Sequence, residues 1–187
     1  MAQNRFPLVM KSIAAITTLG FAGLAALYCR LPHPHVLSAA ITFGTTAYHF
    51  LMRLAVGYIV PKVTHYDFDY RARWFQPRTW EYGFYQKAGV RTWKNKIPTY
   101  SPKQFSLKEN SLYRVIQNTC GAEIVHEVIM VLSFLPLAAV PVFGTFPVFF
   151  LTSLLAALYD GIFVMAQRYN RPRLIRIYEK QEAKAHE

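Results

Sequence analysis

Cysteine is almost missing: Cys29 and Cys120 are the 2 in 187 residues, far apart and without a Cys-x-x-Cys spacing. Neither a disulfide framework nor a cysteine zinc site is indicated. Acidic residues are scarce as well, 10 Asp and Glu against 21 Lys and Arg. Glu123-x-x-His126 is the one Glu-x-x-His unit, whereas a di-iron bundle needs two such units and further carboxylates. No metal is therefore expected. There is no internal repeat, no low-complexity tract and no glycine-rich phosphate loop. From residue 63 to 118 no apolar stretch is long enough to span a bilayer, which takes about 18 residues.

What is present looks contradictory for a small soluble core. Hydrophobic residues make up 53% of the chain and aromatics 16%, yet the formal net charge is +11. Segregation resolves the conflict, with apolar residues in long runs and Lys and Arg between them. Spans are expected at about 12–29, 36–60, 124–140 and 146–166. The first is preceded by Arg5 and Lys11 in the manner of a signal peptide, but it is long for such an apolar core and a second run follows closely, so a retained helix is expected. Residues 62–118 form an aromatic, basic, turn-rich insertion, and 167–187 a polar tail. The expected fold is all-α: a polytopic membrane bundle of about four transmembrane helices with an amphipathic cytoplasmic insertion, in one membrane domain. Lys and Arg crowd one side of these spans and Arg30 stands alone on the other, so both termini and the insertion are expected in the cytoplasm.

Ionisable groups inside a span cost on the order of 2.5–3.5 kcal/mol and need a partner or water. His49 and Arg53 lie four apart on one helix face, either as functional groups or as a bonded histidine and a snorkelling arginine. Asp160 is equally costly, and Arg53 or His49 would suit it. The third span opens with Gln117-Asn118-Thr119-Cys120-Gly121-Ala122-Glu123, then His126. Glu123 and His126 share a face, so the carboxylate can orient the imidazole as a general base; the alternative is a polar helix cap using Asn118 or Thr119. A thiol relay through Cys120 is a minor variant. Gln167-Arg168-Tyr169-Asn170-Arg171-Pro172-Arg173 closes the last span, either gripping phosphate or carboxylate or serving as a cationic anchor. In the insertion, Trp80, Glu81 and Tyr85, then Trp93 and Lys94, mix aromatic and charged groups suited to a headgroup layer. Such mixing also stacks on single-stranded nucleic acid, but four spans speak against that partner.

The Trp80-Glu81 and Tyr85 pattern, Trp93-Lys94 leading to Pro98, Thr119-Cys120 with Ala122-Glu123 and His126, and the Gln167 to Leu174 stretch occur in the same order as in a known family. Over about residues 45–176 the chain resembles the glycosyl-4,4'-diaponeurosporenoate acyltransferases, small bacterial membrane proteins of carotenoid biosynthesis. The resemblance implies transfer of a fatty acyl group to a hydroxyl of a glycosylated lipid at the bacterial plasma membrane. Acyl-CoA is then the expected co-substrate and a lipid acceptor the partner, with no bound cofactor. Expected roles are His126 and Glu123 in catalysis, and His49, Arg53, Trp80, Glu81, Tyr85, Trp93, Lys94, Gln167, Arg168, Tyr169, Asn170, Arg171 and Arg173 in substrate binding. Within that set Arg168, Arg171 and Arg173 would clamp the donor, and Tyr169, Asn170 or Arg53 would bond the oxyanion. Two other readings stay open: a different lipid-modifying transferase or reductase, and a non-catalytic lipid-binding or assembly protein.

Overall fold

In the computed structural model, which describes residues 5–185, every regular element is helical. α1 (Phe6–Arg30) and α2 (Pro34–Thr64) form a tight hairpin. Each begins with proline in its first turn, where the missing N–H has no intrahelical partner to lose. Glycine and phenylalanine mesh reciprocally across the hairpin. A Cβ on Gly20 would lie 2.4 Å from Phe43 Cδ1, and one on Gly44 2.9 Å from Phe21 Cδ2.

α2 ends in two consecutive left-handed residues, His65 at φ 51° and Tyr66 at φ 53°. The chain turns sharply there and lays the Tyr66 ring across Gly121, where an added Cβ would meet Cε1 at 1.8 Å. The insertion that follows is a set of short pieces: α3 (Thr79–Lys87), α4 (Val90–Trp93) and 3-10 turns at Arg73–Phe75, Lys94–Lys96 and Pro102–Phe105.

α5 (Leu112–Leu132) carries the polar entry ahead of its apolar run, and Ser111 caps it by accepting from Arg114 N at 3.2 Å. Asn118 and Thr119 are therefore interior and do not cap. Their neighbour Gln117 brackets the Phe68 backbone, accepting from its N–H and donating to its carbonyl, both at 2.9 Å. Asn118 donates to Gln104 O at 2.6 Å. The polar opening of α5 is thus the seam to which the insertion is tied. Beyond Leu132, Pro136 lies in a 3-10 turn (Leu135–Ala139) that leads into α6 (Val140–Phe143).

α7 (Phe146–Ala185) is continuous for 40 residues, about 60 Å at helical rise, roughly twice the hydrocarbon thickness. The helix continues past the expected end of the span near 166 and runs through the polar tail to Ala185.

α1 packs on α2, α2 on α5, and α5 on α7. Three stretches are long and apolar enough to cross a membrane: Phe6–Arg30, Leu112–Phe143 and Phe146–Ala185. Only 6% of the apolar window of α1 is buried in the protein, which suits a helix surrounded by lipid. α2 has the length, 31 residues, but its Thr, Tyr, His49 and Arg53 keep it out of that group. Residues 1–4 and 186–187, and with them the expected placement of both termini, lie outside the described residues.

Candidate active site

Two charged clusters line the α5–α7 interface. The first forms where the insertion docks. Glu123, fully buried on α5, accepts from Arg168 Nε at 2.7 Å through one oxygen and from Arg171 Nη2 through the other. Arg171 is itself fully buried. It also donates to Thr119 Oγ1 at 2.9 Å, Thr119 O at 3.0 Å and Phe75 O at 2.8 Å. Arg168 reaches Glu81 at 2.7 Å and Trp74 O at 2.5 Å. Glu81 in turn accepts from the Tyr85 hydroxyl. Burial, followed by that hydrogen bond to a carboxylate, pushes the Tyr85 pKa well above its ordinary value.

This corrects two expectations. Glu123 does not orient His126, because both its oxygens are taken by arginines. Arg168 and Arg171 do not form an open clamp, since their guanidinium groups are committed to carboxylates and backbone carbonyls. An arginine fork buried in a low-dielectric seam takes its anion from the protein.

The second cluster lies one turn deeper, since three residues separate His126 from Glu123, about 4.5 Å along the axis. His126 Nδ1 is 2.9 Å from Asp160 Oδ1 on α7. Arg53 of α2 donates to Asp160 Oδ2 at 2.5 Å, and also to the carbonyls of His49 at 3.0 Å and Ala156 at 3.3 Å. Arg53 does not snorkel: it ties α2 to α7 through Asp160. The His126 ring stacks on Phe163, with centroids 4.4 Å apart and 11° between planes. Its side chain keeps 22% exposure while Asp160 has 2%. His49 is buried with neither ring nitrogen bonded, and Ser153 Oγ on α7 is in the same condition.

The remaining expected residues spread around these clusters. Lys94 donates to Asn170 Oδ1 and lies 5.4 Å from the Tyr169 ring centroid. Burial and then the nearby Arg173 cation lower the Lys94 pKa. Tyr169 also meets the Tyr85 ring at 6.3 Å. Gln167 is half-buried on α7, Arg173 is exposed, and Trp80 stands exposed on α3, away from both clusters.

Two shallow apolar grooves flank the deeper cluster. One, about 430 Å³, is lined by Trp93, Lys96, Ile97, Pro98, Tyr159, Ile162 and Phe163. The other, about 350 Å³, runs along α5 past Ile124, Val128, Val131 and Leu132 to a polar end where Trp74 Nε1 donates to Glu127 at 3.0 Å. Cys120 is fully buried in α5. Sequence reasoning missed the His126–Asp160 pairing and the parts of Phe163, Tyr159 and Trp74. The one advance signal was Asp160 itself, a carboxylate in an apolar run with Phe163 a turn away.

Residues 71–180 match the family model described as glycosyl-4,4'-diaponeurosporenoate acyltransferase. That stretch holds most of the insertion, α5 and most of α7, while α2 with His49 and Arg53 lies outside it. No match was found among curated proteins or among solved structures.

Proposed function

The chain belongs to the glycosyl-4,4'-diaponeurosporenoate acyltransferase family, and from that premise we propose that it is a membrane enzyme moving a fatty acyl group from acyl-CoA to a hydroxyl of a glycosylated lipid. The observation that carries the reading is the His126–Asp160–Arg53 chain. An Asp160 carboxylate bonded to a guanidinium can only accept, so the His126 Nδ1 supplies the hydrogen, and in the neutral ring it is Nε2 that carries the lone pair. Orientation of an imidazole by a buried carboxylate is what a general base for a hydroxyl nucleophile requires.

His126 takes the proton from the acceptor hydroxyl as its oxygen attacks the thioester carbonyl. The C–O bond forms, the C–S bond breaks, and the imidazolium returns the proton to the departing thiolate. Asp160 holds the ring and stabilises its cationic form. Phe163, stacked face to face, fixes the ring plane and keeps water off that side.

The same reading puts four helices across the cytoplasmic membrane of a bacterium, with both termini and the insertion inside. The distribution of Lys and Arg supports that orientation. α2 joins as the fourth span because its costly Arg53 bonds α7 and not lipid.

The test is mass spectrometry of lipids from cells holding wild-type or His126→Gln protein at matched membrane abundance. A lipid heavier by one acyl group is expected in the wild type only. Equal amounts of that product in both strains would remove His126 from the chemistry, and identical profiles without it, with candidate acceptors present, would favour a binding role.

A further inference from the structure

Resting on the acyltransferase reading, the structure leaves a question of where an anionic donor is held, since Arg168 and Arg171 are bonded to Glu81 and Glu123. Lys94, Lys96 and Arg173 are different. None of them forms an ion pair with a carboxylate among the described residues. Lys94 is steered by a neutral amide, Asn170, and by the Tyr169 ring. Lys96 stands at the rim of the groove that runs from Trp93 and Ile97 to Tyr159, Ile162 and Phe163, and Phe163 is the residue on which His126 stacks.

We infer that the phosphate-bearing head of an acyl-CoA docks on Lys94, Lys96 and Arg173, and that its acyl portion lies in this groove with the thioester carbonyl beside His126. Charge complementarity selects the head: a dianionic group between like charges turns their repulsion into attraction. The apolar lining selects the chain. Spacing selects the donor class. Ten residues of α7 separate Phe163 from Arg173, about 15 Å at helical rise. A donor whose phosphate lies on Arg173 must therefore carry a long flexible arm between phosphate and thioester, which coenzyme A has and a phospholipid, with its ester bonds next to the headgroup, has not. Burial first, and then the Arg173 cation, lower the Lys94 pKa.

The test measures binding without turnover. Full-length protein in phosphatidylcholine nanodiscs is titrated with radiolabelled S-hexadecyl-coenzyme A, a thioether that cannot transfer its chain. Lys94→Gln/Arg173→Gln is expected to weaken binding about tenfold or more at low salt, the scale of two lost charge-assisted contacts, and to flatten its salt dependence. The charge-keeping Lys94→Arg/Arg173→Lys should bind nearly as wild type, which separates charge loss from misfolding. S-hexadecyl-pantetheine, lacking phosphate, should not distinguish wild type from either variant. Ile162→Trp should weaken the hexadecyl probe more than S-butyl-coenzyme A. Equal affinity of wild type and the glutamine variant would overturn the site, as would loss of probe binding when phosphatidylglycerol is added to the discs, which would assign the cations to lipid headgroups. The binding data also stand apart from the activity. Charge-dependent probe binding without any acylated product keeps the site and removes the acyl-transfer reading, whereas acylated product with unaltered affinity in the variants removes only the site.

Discussion

The two clusters on the α5–α7 interface use the same residue types one helical turn apart and differ in what they leave unbonded. Around Glu123 both carboxylate oxygens are taken, Arg171 has no exposure, and Arg168 is bonded on three nitrogens. Around Asp160 the carboxylate is equally occupied, by Arg53 and His126, but the histidine side chain is not enclosed and keeps 22% exposure. A buried ion network with all its groups bonded fixes geometry, whereas one that ends in an accessible lone pair can do chemistry. The upper cluster joins four pieces of chain: α3 through Glu81, the 3-10 turn through Trp74 and Phe75, α5 through Thr119 and Glu123, and α7 through its arginines. It holds the insertion over the deeper cluster.

The same one-atom change in each cluster should separate the two roles. Glu123→Gln leaves Arg171 buried without its counterion, and a destabilisation of about 3–5 kcal/mol is expected, read as a lowered unfolding midpoint of the detergent-solubilised protein. Arg171→Lys should fall nearly as far, because an ammonium cannot reach Thr119, Phe75 and Glu123 together. An unchanged midpoint for both would break the comparison. Asp160→Asn is expected to lower the turnover number for acyl transfer by about 10²–10⁴-fold, the usual scale for a positioned base, with the donor KM close to wild type. Asp160→Glu should restore part of it. A loss confined to KM, or no rescue by glutamate, would mean that Asp160 only holds α2 to α7.

Much of this architecture was legible in the chain because segregation of apolar and basic residues is a long-range pattern that single substitutions do not hide. The helical class, the apolar stretches and the set of costly residues followed from it. The pairing of those residues did not. Glu123 and His126 share a helix face three residues apart, and local spacing joined them. Side chains on another helix won instead: Arg168 and Arg171 reach Glu123 from α7, and Asp160, more than two turns earlier on the same helix, reaches His126. Arg53 with Asp160 was among the partners that cost alone suggested. The polar entry of α5 was legible from Gln117 onward, but nothing local says that Gln117 and Asn118 bond the backbone of a strap folded over them.

That strap offers a smaller effect. Gly121→Ala would push a methyl into the Tyr66 ring, where the ring is held by two left-handed residues and has little room to retreat. A loss of about 1–3 kcal/mol is expected for such overpacking. Tyr66→Ala in the same chain should relieve much of it, because the two positions are in contact and their effects do not add. If Gly121→Ala were neutral, the strap would be mobile enough to move aside, and the upper cluster would be holding less than its geometry implies.

The weakest expected effect tests whether ion pairs as such matter, or only buried ones. Arg71 meets Glu179 at 3.2 Å, tying the insertion to the C-terminal extension of α7, but their side chains are 65% and 47% exposed. Screening and the entropy of two long side chains leave such a pair about 0.2–1 kcal/mol, so Arg71→Ala should barely move the unfolding midpoint. The extension has a better attachment beside it. Tyr178 meets Tyr70 at 6.4 Å and Tyr113 at 5.9 Å between ring centroids, and Ile175 is buried. Tyr178→Ala should therefore expose the extension to limited proteolysis where Arg71→Ala does not, since aromatic contacts add to the area they bury and are not screened by salt. The opposite order would mean that charge also organises the exposed end of α7, and burial would no longer be what distinguishes the arginines that fix this fold.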